Sequence, residues 1–283
     1  MSDPKNEDTT DGKGEDRYTV PALARGLQLL MSFNRDEREL TGAELSRRLD
    51  LPRASVFRML QTLEHGGFVE RVGDGASYKL GLSVLRLGFE YLASMELTEH
   101  GRPVIEDLRD LCGYSAHVVV RDNRDVVFVA KAAGRSAMFH SIQVGARLPA
   151  HATVLGRLLL SDLDLNSLRH LYPEEPLPAY TARTPTTLAQ LKGLIDEDRA
   201  RGYAVSQGGF ETGISTIAAP VFNDRNEVVA CVSITVPAQR VQEGELDVLI
   251  NQVRDAAAQL TERISHTPHR GQWLNKPHDK KAA

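Results

Sequence analysis

The sequence predicts an α+β protein of two domains: a small N-terminal head of three helices and a hairpin, and a larger C-terminal domain in which strands and helices alternate. Three observations predict it. The chain has 283 residues, long for one domain and comfortable for two. Between residues 20 and 65 three stretches carry helical apolar periodicity, and a short pair of strand-like runs around glycines comes after them. Beyond residue 111, runs rich in valine and isoleucine alternate with helical patterns.

Composition narrows the class. The 41% hydrophobic and 25% charged residues are ordinary for a soluble globular protein. The two cysteines, Cys112 and Cys231, offer neither a disulfide framework nor the close pair of a structural zinc site, which fits a reducing cytoplasm. No apolar run approaches the roughly 18 residues of a membrane span. Residues 1–16 hold two lysines and six acids, net -4, so residues 1–17 are expected to be a disordered acidic tail rather than a signal peptide. Residues 17–81 hold ten Lys/Arg and eight Asp/Glu, net +2; the whole chain carries -4, which leaves -2 for the rest. A mildly basic head within an acidic chain points weakly to an anionic partner.

From Val20, apolar residues recur at Leu23, Leu27, Leu30 and Met31, an amphipathic helix ending near 32–36. Thr41-Gly42-Ala43-Glu44 matches a capping box, with Leu45 and Leu49 behind it, so a short helix is expected over about 42–49. Asp50-Leu51 forms a turn, and Pro52 suits the first helical position because its missing N–H would be unpaired there anyway. In the stretch LPRASVFRMLQTLE, residues 51–64, Val56, Leu60 and Leu63 fall within about 60° of one another and make a core face. Ala54, Arg58 and Gln61 point the other way, Arg53 sits at the tip, and Ser55, Phe57 and Thr62 flank that face. Two helices about a tight turn, the second with a cationic, amide and hydroxyl outer face, form a helix-turn-helix over about 41–62.

Such a face is either the solvated side of an ordinary surface helix or a surface for DNA, where Arg and Gln can make paired hydrogen bonds to base edges. The neighbouring residues favour DNA. Gly66-Gly67 ends the helix, and Phe68–Val72 and Ser77–Leu80 pair around Gly73-Asp74-Gly75, a wing able to lay Arg71 and Lys79 along phosphates. Residues 18–81 thus make a winged helix-turn-helix. The candidate DNA contacts are Thr41, Arg53, Ser55, Phe57, Arg58, Gln61, Thr62, Arg71 and Lys79. Arg58 and Gln61 are expected at base edges, Arg53 and Ser55 at the backbone.

Leu82, Leu85, Phe89 and Leu92 give an apolar helical stripe over 82–97, and a second helix beginning at Thr98 carries Val104, Ile105, Leu108 and Leu111. In the C-terminal domain, residues 98–265, strands are expected at 116–120, 126–130, 139–144, 203–206, 216–222 and 228–236, and helices at about 152–161, 164–171, 187–201 and 243–264. Residues 266–283 are expected to be a polar tail.

Several segments together resemble the IclR family of bacterial transcriptional regulators. They are Ala24-Arg25-Gly26-Leu27-Gln28-Leu29-Leu30, Glu44-Leu45-Ser46-Arg47-Arg48-Leu49, Leu51–Leu60 and Tyr78-Lys79-Leu80-Gly81, then Leu148-Pro149-Ala150-His151-Ala152-Thr153, Gly156 and Ile217-Ala218-Ala219-Pro220-Val221-Phe222. The likeness runs from about 20 to 265. It implies a GAF-like, largely antiparallel C-terminal sheet with helices packed on it and a pocket for a small organic acid: an aromatic acid, a keto-acid or a sugar acid. It also implies that 82–97 is a linker that helps two heads pair, whereas the stripe alone serves equally to pack on its own domain. The partners expected are a second copy, as a homodimer or a dimer of dimers, and double-stranded operator DNA with an inverted repeat. Repression and activation are both open.

By position the resemblance assigns effector binding to His151, Thr153, Val154, Leu155, Thr216, Ser233 and Thr235, with Glu211 and Cys231 nearby. Physically, Thr153 can cap the helix behind it, and free N–H groups at a helix start receive carboxylates. Ser233 and Thr235 share one sheet face because they alternate with Val232, Ile234 and Val236. His151 serves equally to fix its loop, Thr216 equally as a satisfied core hydroxyl. Ser206-Gln207-Gly208-Gly209-Phe210 departs from the acidic residues of many relatives.

No G-x-S-x-G, Walker loop, G-x-G-x-x-G or H-E-x-x-H occurs, and no histidines pair at ligand spacing, so no catalytic residue, cofactor or metal is expected. The competing non-enzymatic reading is a metabolite-binding protein whose winged head makes protein contacts.

Overall fold

The computed structural model describes residues 19–34, 36–73, 75–134, 142–207, 210, 214–237 and 243–265. The chain divides between Tyr91 and Leu92 into two units.

In the first unit, α1 (Pro21–Met31) buries Leu29 and leaves Val20, Leu23, Leu27 and Met31 exposed. A two-residue strand β1 (Leu40–Thr41) leads into α2 (Gly42–Arg48), and the capping box forms as the spacing predicts. Thr41 Oγ1 accepts the Glu44 N–H at 3.2 Å, and Glu44 Oε2 accepts the Thr41 N–H at 2.8 Å, which holds the Glu44 carboxyl below its usual range. Thr41→Ala is expected to destabilise the head by about 1 kcal/mol in urea unfolding. An unchanged midpoint would mean the box contributes nothing.

The turn before α3 (Arg53–His65) places Asp50 at φ 51, in the left-handed region. Pro52 is the residue before the helix rather than its first: its ψ of 137° is extended, so the helix starts one residue later than expected. Val56 and Leu60 are buried and Leu63 partly so, in a core with Leu29, Phe33, Leu40, Leu45, Val69 and Tyr78. The wing is β2 (Val69–Arg71) and β3 (Ser77–Leu80), antiparallel with Glu70 opposite Lys79. Sequence reading missed that β1 pairs with β3, completing a three-stranded sheet in the order β1-β3-β2. Two residues are too few to show a period. The wing's root is tight, since a Cβ on Gly81 would stand 2.3 Å from the Gly67 carbonyl oxygen. Helix α4 (Leu82–Ser94) comes next and buries none of its residues.

The second unit opens with α5 (Glu96–Cys112), which starts two residues before the expected Thr98. Thr98 Oγ1 donates to the Met95 carbonyl at 2.8 Å instead of capping a helix start. Gly113, at φ 77, ends the helix. The strands are β4 (Ser115–Asp122), β5 (Asp125–Ala132), β6 (Arg147–Pro149), β7 (Ala204–Gln207), β8 (Ile214–Phe222) and β9 (Val228–Pro237). They form one sheet in the order β6-β5-β4-β9-β8-β7 with every pairing antiparallel. The strand expected at 139–144 is not found: 142–144 are coil and turn, and 139–141 lie outside the described residues. The edge strand is β6, brought in by a turn in which Gly145, at φ 87, donates to the Phe128 carbonyl.

Between β6 and β7 lie a 3-10 turn (Ala150–Ala152), α6 (Val154–Leu159), α7 (Leu165–Leu171) and α8 (Leu188–Arg201), and α9 (Glu243–Ser265) closes the chain. The single helix expected over 152–161 is thus a turn plus six helical residues, because Thr153 is extended at φ -116, ψ 150. Helices α5 and α9 cover one sheet face over Ala116, Val118, Ile217, Val232, Ile234 and Val236. Helix α6 crosses the other face, with α8 behind it, over a second cluster that includes Val119, Phe128, Ala218 and Cys231. The predicted two-domain α+β class holds.

Candidate DNA interface and effector site

Arg53, Ala54, Phe57, Arg58, Gln61 and Thr62 are exposed on α3, Ser55 is half-buried, and the first turn of the helix carries no acid. The arrangement arises from the sequence: with Val56 and Leu60 anchored inward, a 3.6-residue period turns these side chains outward. No side chain caps the N-terminus of α3. Two expected contacts are reduced. The Thr41 hydroxyl donates to Glu44 Oε2 while accepting from Glu44 N–H, so its donor is engaged in the capping box rather than offered to a phosphate. Thr62 Oγ1 donates to the Arg58 carbonyl at 2.9 Å and keeps only its acceptor. In the wing, Arg71 stands 3.4 Å from Glu64 and stacks on Tyr78, and Lys79 stands 3.4 Å from Glu70. Exposed pairs of this kind are worth little.

In the C-terminal domain the covered sheet face beneath α6 changes character along the strands. Near Val119, Phe128 and Cys231 it is apolar; beyond them it becomes polar. One cross-strand row runs Lys131, His117, Ser233, Ala218, Ala204, and the next runs Ser115, Thr235, Thr216, Ser206. The expected residues Thr216, Ser233 and Thr235 therefore meet, Thr216 directly opposite Thr235. Cys231 lies on the same face and is fully buried, which pushes its thiol well above the usual range.

The residues before and in α6 take structural places. His151 Nε2 lies 2.9 Å from the Pro178 carbonyl, to which it donates, and the ring packs against Tyr172 and Tyr180, which fixes its loop. Thr153 Oγ1 accepts the Gly156 N–H at 3.1 Å, the cap expected of it. Val154 and Leu155 are buried in the apolar cluster with Phe128. With the Gly156 N–H taken by Thr153, one fewer free N–H remains at the start of this six-residue helix. Glu211 lies outside the described residues.

His117 is the residue that sequence reasoning left as a plain strand position. It is 1% exposed, it sits edge-on to Phe128 at 5.3 Å, and neither ring nitrogen has a hydrogen-bond partner among the described residues. Its signal was there in the alternation of Ser115 and His117 with Ala116 and Val118, but only strand pairing brings it beside Ser233. Burial, with the Lys131 charge adding, pushes the imidazole down to about 4 from 6.5. The unfolded chain therefore takes up a proton below pH 6.5 that the folded domain refuses until about pH 4. Above pH 6.5 the neutral His117 carries no protonation penalty, and about 3 kcal/mol of stability is expected to be lost as pH falls across that window. Unfolding midpoints of wild type and His117→Leu between about pH 4 and 7.5 check this; equal slopes contradict it.

Among the described residues no group of three or more His, Cys, Asp or Glu could hold a metal, and no helix is long and apolar enough to cross a membrane.

Comparison with known proteins agrees with this geometry. Residues 22–73 match the model of the IclR helix-turn-helix domain, and residues 89–262 match that of the bacterial transcriptional regulator IclR C-terminal domain. The Pca regulon regulatory protein of Pseudomonas putida is 33% identical over 85% of this chain and 84% of its own. The crystal structure of an IclR transcriptional regulator from Alicyclobacillus acidocaldarius superposes with a TM-score of 0.77 at 27% identity, covering 87% of this chain and 99% of that one. An IclR homologue from Microbacterium hydrocarbonoxydans, solved complexed with 4-hydroxybenzoate, gives 0.75 at 24% identity, covering 86% and 98%; at that identity the likeness speaks for the fold alone.

Proposed function

This chain belongs to the IclR family of bacterial transcriptional regulators, and from that membership we propose a cytoplasmic regulator of a catabolic operon whose DNA binding a small organic acid controls. The relatives are named as regulators, not enzymes, and the reading of the head as a protein-contact module has no support among them.

One observation carries the DNA half of the reading: the outward face of α3 is exposed, acid-free in its first turn and armed with Arg53, Arg58 and Gln61 over an anchored Val56 and Leu60. Arg58 and Gln61 read base edges, and the uncapped helix start with Arg53 and Ser55 takes phosphate. Arg71 and Lys79 leave their acid partners for the flanking backbone. The exposed apolar residues of α1 (Leu23, Leu27, Met31) and of α4 (Leu82, Leu85, Phe89) are covered in a homodimer or a dimer of dimers. Two paired heads then require an inverted repeat, with half-sites one helical turn or a multiple apart.

The polar end of the sheet beneath α6 supports the effector half. Hydroxyls from β8 and β9 converge there between apolar walls, the chemistry of a small-molecule site. The ligand acts by binding one arrangement of the dimer more tightly than the other.

The test is selection of a binding sequence from random duplex DNA, followed by salt titrations. Arg58→Ala is expected to lose about 1–3 kcal/mol on the selected site and to relax one base position. Arg71→Ala is expected to weaken all sequences alike and lower the salt slope by about 1. Absence of any enriched sequence, or an Arg58→Ala protein with wild-type preference, refutes the assignment of α3.

A further inference from the structure

Among the described residues four side chains of the C-terminal domain, His117, Tyr172, Ser233 and Gln252, carry buried polar atoms without a hydrogen-bond partner, and two of the four, His117 and Ser233, are neighbours. His117 on β4 lies directly opposite Ser233 on β9, both on the sheet face that α6 crosses. His117 is 1% exposed and Ser233 0%. Neither imidazole nitrogen nor Ser233 Oγ has a hydrogen-bond partner among the described residues. Leaving such groups unsatisfied inside a core is costly, so two side by side point to a group that arrives from outside the chain.

We propose that His117 and Ser233 together read a hydroxyl group on a small hydroxylated organic acid bound at the polar end of the sheet; this rests on the effector reading above and specifies its chemistry. A neutral imidazole presents one donor and one acceptor, and a serine hydroxyl presents both. A carboxylate or keto oxygen only accepts, and would leave the imidazole's bare nitrogen unpaired. A hydroxyl donates to that nitrogen and accepts from Ser233, so one group pairs the bare nitrogen and the serine together, and the imidazole N–H on the opposite ring edge is left for an acceptor such as a carboxylate oxygen. Burial keeps His117 uncharged at neutral pH, which preserves its acceptor. The row continues from Ser233 into Ala218 and Ala204, whose small side chains leave space on that side. At its other end stands Lys131, opposite His117, which contributes positive charge next to a ligand that is an anion. Thr235 and Thr216 in the adjacent row add hydroxyls for further polar substituents.

The experiment is calorimetric titration of the full-length protein at about pH 7.5 with matched acids: benzoate against 3- and 4-hydroxybenzoate, and propionate against lactate. Wild type is expected to bind a hydroxylated member at least about tenfold more tightly than its plain partner. Ser233→Ala and His117→Leu are each expected to shrink that ratio about tenfold. Melting temperatures of the ligand-free variants should be unchanged or higher, since each removes an unpaired buried group; a fall in both would show that the two groups are already satisfied, which contradicts the inference. Ser233→Ala removes one atom and keeps the test valid should His117→Leu fail to fold. If plain and hydroxylated acids bind alike, or the preference survives both variants, the inference is overturned while acid binding stands. If no acid in either series binds, the effector reading falls and takes the inference with it.

Discussion

Gly156→Ala is expected to destabilise the C-terminal domain by about 4 kcal/mol or more, at the upper end of what one substitution does. A Cβ at this position would stand 1.9 Å from the Ala150 carbonyl oxygen, 2.3 Å from Ala150 Cα and 2.4 Å from its carbonyl carbon. All three are backbone atoms, so no rotamer change relieves the overlap. Nor can the turn slide away freely, because the Gly156 N–H is held by Thr153 Oγ1 and the Leu160 N–H by the Gly156 carbonyl. The helix that roofs the proposed effector site must therefore shift as a whole. Gly193→Ala, within α8 where nothing lies within 4 Å of the new methyl, is the matched control and should gain up to about 1 kcal/mol. Denaturant midpoints for the two variants decide it; a Gly156→Ala protein within about 1 kcal/mol of wild type contradicts the close approach.

Asp198→Ala is expected to cost the same domain about 3–5 kcal/mol. Asp198, on α8, is 1% exposed and accepts from Arg157 Nε on α6 at 2.6 Å and from an Arg201 guanidinium nitrogen at 2.8 Å. Its loss strands Arg157, whose side chain is only 13% exposed, as an uncompensated charge. Arg201 is nearly half exposed and returns to water, so most of the loss belongs to Arg157. Asp198→Asn keeps an acceptor without the charge and should fall between wild type and the alanine variant. The ion pair ties α6 to the layer behind it, so effector affinity should drop with stability. Equal stability for all three proteins would mean that α6 is held by its apolar face alone.

The head was legible in the sequence because its signals are local. Thr41 and Glu44 are three residues apart and cap the helix that their spacing implies; Val56 and Leu60 set which way Arg58 and Gln61 face. Its one missed element, β1, exists only through pairing with β3, which lies beyond both α2 and α3 in the chain. The C-terminal domain was legible as strands and helices but less so as a site. Alternation placed Ser233 and Thr235 on one face, and Thr216 joins them through pairing of adjacent strands. His117 reaches that face from β4, far before β9 in the chain, and no pattern within either strand announces the meeting. The helix expected at 152–161 begins only at Val154, because Thr153 is extended, and Ala150 packs back against Gly156 in a local turn to which periodicity is blind. The bond of His151 to Pro178 is not legible in the sequence, because Pro178 lies beyond α6 and α7.

Linkage between the two proposed sites is the most direct test of a ligand-controlled regulator. The measurement is operator affinity at fixed salt with and without a saturating organic acid, paired with affinity for that acid with and without saturating operator. The account predicts that the two ratios are equal, at about 5- to 150-fold, corresponding to about 1–3 kcal/mol of coupling. An acid that binds tightly but leaves operator affinity unchanged would contradict it.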